Sequence, residues 1–175
     1  MPINSTFRTI ACVFFATHIP ATILMDSQAL LPHSIVPGFA RELLDFHVRA
    51  NHDPLMEHQP VWFKSLILFE LLFQLPFFFV GYHAFYHGRN WVRIPGIAYG
   101  VHTATTLIPI LAEILTDEDI PTDAARAQLF LIYLPYLIIP AMIAILLALE
   151  EKPFGKAGDA HVAKKSTRRS KTKRG

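Results

Sequence analysis

Apolar residues in this chain collect into four blocks, at about 9–25, 62–86, 94–115 and 128–149, with polar stretches between them. A helix needs about 20 residues to cross the hydrocarbon of a bilayer. The pattern therefore predicts an all-α polytopic membrane protein with four transmembrane helices. The first block is the shortest and contains His18, so it has to be weighed as a signal peptide. Thr17-His18-Ile19-Pro20 interrupts its apolar core and no small-x-small cleavage site follows, so an uncleaved span is expected. Within the long first loop, positions 39–48 have helical apolar spacing, with Phe39, Leu43 and Phe46 on one side, as in a short helix lying on the lumenal face. The transmembrane domain is expected over 7–149. From 150 to 175 few apolar residues remain, and a disordered basic cytosolic tail is expected.

Charge orients the chain. Nine of the 16 Lys and Arg lie after Glu150, Arg8 precedes the first span, and Arg89 and Arg93 separate the second from the third. The third-to-fourth loop instead carries Asp117, Glu118, Asp119 and Asp123 against Arg126. The positive-inside rule puts both termini in the cytosol. Lys171 and Lys173, fifth and third from the carboxyl end, have the K-x-K-x-x spacing of a cytosolic signal for retrieval to the endoplasmic reticulum. On a membrane protein such a tail reads as topogenic, not as a nucleic-acid arm. The single cysteine, Cys12, excludes an intrachain disulfide and a cysteine metal cluster.

Ionisable groups inside spans are costly and mark function by default. Glu70 lies mid-span with Gln74 one turn on and Phe77 on the same face; His18, Thr22 and Asp26 form a second stripe. Tyr99, Thr103 and Thr106, with His102 beside them, and then Tyr133 and Tyr136 add polar groups to the last two spans. Each span also holds an interior proline (Pro20, Pro76, Pro109, then Pro135 and Pro140), which removes a backbone donor and kinks a helix. Kinked helices splay, so the expectation is an enclosed pocket, apolar in its walls and acidic at one point. It suits a hydrophobic ligand, including one that carries a cation. Blander roles stay open: Glu70 and Gln74 as glue between helices, Asp26 as a helix cap, Asp53 before Pro54 as the cap of the turn entering the second span. His83 and His87 have metal-compatible spacing but lie where the span leaves the membrane, and no metal or other cofactor is expected.

In order along the chain, Thr17-His18-Ile19-Pro20, Met25-Asp26-Ser27-Gln28-Ala29, His52-Asp53-Pro54-Leu55, Trp62-Phe63-Lys64-Ser65, Phe69-Glu70-Leu71, Tyr99-Gly100-Val101-His102-Thr103 and Pro135-Tyr136-Leu137-Ile138-Ile139-Pro140 resemble the sigma-2 receptor branch of the EXPERA family. The resemblance implies a four-helix protein of the endoplasmic reticulum, homodimeric, with a lipid-accessible pocket for sterols or lipophilic cations. In it Asp26 would pair with a ligand amine, Glu70 would lie beside Asp26 and share a proton, and Asp53 would support the pocket. His18, Gln74, Tyr99, Thr106 and Tyr136 would lie in or near it. Family members are tied to sterol homeostasis and, in fungi, to handling of mitochondrial precursor proteins. The emopamil-binding sterol isomerases of the group have five spans and a tryptophan facing the cationic intermediate. Here Trp62 and Trp91 fall at span ends. A non-enzymatic binding protein is therefore expected; the alternatives are an isomerase using His18 and Glu70, and a membrane chaperone or adaptor.

Overall fold

The computed structural model describes residues 2–155, and among these all regular structure is helical. Four stretches are long and apolar enough to cross a membrane: Ser5–Ala29, Val61–His87, Asn90–Thr116 and Asp123–Leu149. They contain the four predicted blocks. The first is α1 (Ser5–Leu24) and a 3₁₀ turn (Asp26–Ala29); the second is α4 (Val61–Phe69), a π turn (Glu70–Gln74) and α5 (Leu75–His87). The third and fourth are α6 (Arg93–Thr116) and α7 (Asp123–Leu149). Between the first two spans lie α2 (Gly38–Asn51) and α3 (Pro54–His58). Val13, Leu72, Leu131 and Ile145 are exposed on the spans, as lipid-facing positions must be.

The helix ends explain much of the polar sequence. Asn4 accepts from Phe7 N–H at 2.8 Å to start α1, and Thr122 accepts from Ala125 N–H to start α7. Three arginines complete the other ends, donating to carbonyls in or just past the last turns of the helices. Arg8 reaches Phe85 O and Tyr86 O at the end of α5, Arg93 reaches Leu147 O and Glu150 O at the end of α7, and Arg126 reaches Ile114 O in α6. Arg8 and Arg93 thus act in the fold through hydrogen bonds as well as charge.

The two ends of the described chain meet. Ile3 N–H donates to Pro153 O at 2.8 Å, Phe154 packs edge-on against Phe85, and Asn90 holds the backbone at Phe154 and Gly155. The first residues past α7 are therefore fixed against the bundle, so the tail expected from 150 is structured through 155. Lys171 and Lys173 lie outside the described residues.

Pro20, Pro109, Pro135 and Pro140 sit inside continuous helices. The third and fourth spans pack closely beside Pro140: a Cβ added at Gly100 would stand 2.4 Å from its carbonyl oxygen. Pro76 lies two residues past the π turn, as the second residue of α5. A ring that cannot donate a hydrogen bond and clashes with the carbonyl one turn back favours a widened turn there. In α2, Ala40 and Leu44 are buried against the bundle, whereas Phe39, Leu43 and Phe46 face outward.

Candidate functional site

The π turn supplies Glu70 and Gln74, facing α1 and α6 respectively. Thr22 Oγ1 donates to Glu70 Oε1 at 2.7 Å, and His18 Nε2 lies 3.5 Å from the same oxygen. Asp26 completes the group: one donor atom from each of His18, Asp26 and Glu70 lies within 4.8 Å of the others. That spacing would also admit a divalent cation. The capping role open to Asp26 is filled by its neighbours. Ser27 Oγ donates to Ile23 O at 2.7 Å and Gln28 Nε2 donates to Leu24 O, so the last carbonyls of α1 are met without it.

These groups line a cavity of about 210 Å³ between all four spans, closed by Met56 of α3 and His47 of α2. Its walls are largely apolar, with Phe63, Ile67, Leu107 and Ile110 on one side and Tyr133 and Tyr136 on the other. His18 is held by rings, stacked on Phe78 at 4.4 Å and edge-on to Tyr136 at 4.6 Å, and its Nδ1 is buried with no hydrogen-bond partner. Across the cavity Thr103 Oγ1 donates to Gln74 Oε1 at 3.0 Å, which joins the second span to the third. Thr106 donates to Thr103 O in its own helix, the ordinary back-bond of a membrane threonine.

Asp53 is fully buried beneath this cavity and does not line it. Its Oδ1 accepts from Met56 N–H at 3.1 Å, capping α3, while Oδ2 accepts from Tyr133 Oη at 2.7 Å and contacts His47 Nε2 at 3.0 Å. Asn51 Nδ2 faces His47 Nδ1 at 3.2 Å, which makes Nε2 the protonated nitrogen that donates to Asp53. Asn51 Oδ1 in turn accepts from Gln128 Nε2 at 2.9 Å. One carboxylate thereby ties α2, α3 and α7 together and fixes two cavity walls. Asp53→Ala should strand three buried polar groups at a cost of about 2–4 kcal/mol. A melting temperature lower by about 5–15 °C is expected in detergent; an unchanged one would show that the network bears little weight.

The structure brings His18, Asp26, Glu70, Gln74, Thr106 and Tyr136 to one cavity, as the sequence suggested. Tyr99 is not among its lining residues; it stacks on Phe77 at 4.4 Å and faces a separate groove. His47, Met56 and Phe63 line the cavity without having stood out in the sequence. His47 was legible only as a polar position six residues before Asp53. His83 and His87 are neighbours with ring centroids 4.5 Å apart, and no third donor joins them among the described residues. Trp62 and Trp91 both lie away from the cavity.

Residues 39–146 match the family described as EXPERA (EXPanded EBP superfamily). Sigma intracellular receptor 2 of Homo sapiens is 41% identical over 144 residues, covering 76% of this chain and 82% of that protein. The Xenopus tropicalis protein of the same name is 41% identical over 140 residues, covering 75% and 82%. Efficient mitochondria targeting-associated protein 19 of Saccharomyces cerevisiae is 28% identical over 146 residues, covering 73% and 88%.

Proposed function

Because the chain belongs to the EXPERA superfamily, we propose that it is an intramembrane receptor for lipophilic molecules carrying a cationic amine, with sterol-like lipids as its natural class. The observation that carries this reading is the cluster of Asp26, Glu70 and His18 in an apolar cavity between four spans. Two carboxyl groups in an apolar cavity, Glu70 near the middle of its span and Asp26 toward the end of the first, call for a positive partner, because hydrocarbon cannot solvate them. An amine on an apolar body supplies that partner, and Phe63, Tyr133 and Tyr136 offer ring faces to its substituents.

The cavity alone is smaller than the roughly 300–1,000 Å³ of sites that enclose drug-sized ligands. A groove between α1 and α7 continues it, sharing Ile132 and Tyr136 as common lining. We assign the amine to the cavity and the apolar body to this groove, which connects the site to lipid. Placement in the endoplasmic reticulum with both termini in the cytosol, and a homodimeric state, belong to the same proposal. A role in sterol homeostasis, or in handling mitochondrial precursors as the name of the yeast relative suggests, would follow from ligand occupancy. A sterol isomerase reading has the 3.5 Å His18–Glu70 pair in its favour, but no tryptophan lines the cavity to stabilise a carbocation. Binding without turnover is the function we propose.

The test compares a tertiary-amine amphiphile with its neutral carbon isostere on purified protein. The amine should bind at least about tenfold more tightly, the minimum expected of one charge-assisted contact. Equal affinities would remove the acidic cluster from the binding site.

A further inference from the structure

We propose that the groove between the second and third spans is a separate lipid site, selective for an apolar tail that carries a hydroxyl group at mid-membrane depth. The groove holds about 410 Å³, within the range of small-molecule sites. Phe69, Phe73 and Phe77 form one wall, and Pro95 and Ala98 form the other. Phe73 is 60% exposed on the outer surface of the bundle, so the mouth opens toward lipid. Tyr99 and His102 line the groove from α6, and each carries a buried polar atom, Oη and Nε2, that has no hydrogen-bond partner. Tyr99 is only 5% exposed. Native proteins rarely leave such groups unpaired, and two of them one helical turn apart mark a missing partner.

The chemistry of that partner is narrow. A phenol donates and accepts, and a neutral imidazole nitrogen donates or accepts, so a hydroxyl group can satisfy either or both. Among the described residues no carboxylate and no Lys or Arg lines the groove, which argues against the cation suited to the acidic cavity and against a phosphate headgroup. Depth narrows the class further. His102 lies one residue from the midpoint of the Asn90–Thr116 span and Tyr99 four, about 1.5 and 6 Å along the axis. A lipid whose polar group sits at the headgroup level does not reach them. A lipid hydroxylated toward the far end of its tail does, and it would enter from the leaflet at the end of the bundle where both chain ends meet, since Pro95 lies on that side.

The probe is phosphatidylcholine with a 12-hydroxystearoyl chain, whose hydroxyl rests near the centre of the ~30 Å hydrocarbon core, against the stearoyl lipid. Protein from nanodiscs containing both is released and its retained lipid weighed by native mass spectrometry. Wild type should retain the hydroxylated lipid about five- to tenfold over the other, as one or two neutral hydrogen bonds allow. Tyr99→Phe should reduce the preference, and Tyr99→Phe with His102→Leu should abolish it, with melting temperatures no lower than wild type, since each change removes an unpaired group. Asp26→Asn should leave the preference intact, which separates this site from the amine site. Equal retention by wild type, or a preference surviving the double substitution, would overturn the proposal. So would loss of a dimer in the double variant without any wild-type lipid preference, which would make the groove a contact between copies.

Discussion

Gly100→Leu should yield no folded protein: expression in membranes, then aggregation on extraction, with no monodisperse peak by size exclusion. A Cβ at Gly100 would meet Pro140 O at 2.4 Å and both the backbone nitrogen and Cβ of Ala144 at 2.9 Å. Backbone atoms of a packed helix cannot rotate away as a side-chain tip can, so α6 and α7 would have to separate along their length. Between membrane helices no hydrophobic term favours contact over lipid, and close backbone approach supplies much of the attraction. Overpacking in a core costs about 1–3 kcal/mol even where side chains give way, and here the obstacle is main chain. Gly96 provides the control. Its added Cβ would meet Leu147 Cδ1, the end of a flexible side chain, so Gly96→Ala should remain folded with a modestly lower melting temperature. A Gly100→Leu protein that melts with wild type would show that the α6–α7 approach is not what holds the bundle.

That interface shows where sequence reading succeeded and where it stopped. Four apolar blocks were enough to locate the spans, because crossing hydrocarbon demands length and apolarity that each segment carries alone. Gly96 and Gly100 have the spacing of a close helix contact, but nothing local says which helix they meet; the answer depends on Pro140 and Ala144, some forty residues away. Proline poses a related problem. Loss of a donor at Pro140 is local, but whether a helix bends away or packs closely is decided by its neighbour. Pro76 was read as a kink, and the structure sets a π turn over Glu70–Gln74, itself a common cause of kinks, just before it.

The candidate site was legible to the extent that it is written in ionisable residues. Glu70, Asp26 and His18 stand out because charge and imidazole are costly within a span, and the structure draws them within 4.8 Å. Tyr99 shared a helical face with Thr103 and Thr106, yet the two threonines line the cavity and Tyr99 does not. A position one turn earlier in α6 falls beyond the end of the cavity, where Gln74 separates the two spaces and lines both. His47 was missed because its role depends on Asp53 and Tyr133, residues brought to it by α3 and α7. Arg8, Arg93 and Arg126 were read for charge alone, while their contacts with carbonyls at helix ends needed the fold.

Asp26→Asn should lower affinity for a lipophilic amine by about a hundred- to a thousandfold, the equivalent of roughly 3–4 kcal/mol for leaving one member of a desolvated ion pair alone. Asparagine preserves shape and hydrogen bonding, so the loss would report charge. Glu70 is the weaker candidate for the counter-ion, because its Oε1 already accepts from Thr22 at 2.7 Å and contacts His18. Glutamine at position 70 can still accept from Thr22, so Glu70→Gln should cost about tenfold, the share of a carboxylate acting next to the primary partner. The neutral isostere of the ligand should bind wild type and Asp26→Asn alike. Radioligand saturation on purified protein measures all three, with thermal stability as the check on folding. If Glu70→Gln costs more than Asp26→Asn, the counter-ion is Glu70 and the amine sits deeper, against Gln74 and Thr103. If neither substitution changes affinity, the acidic cluster is a structural link between α1 and the π turn, and the cavity takes an uncharged molecule.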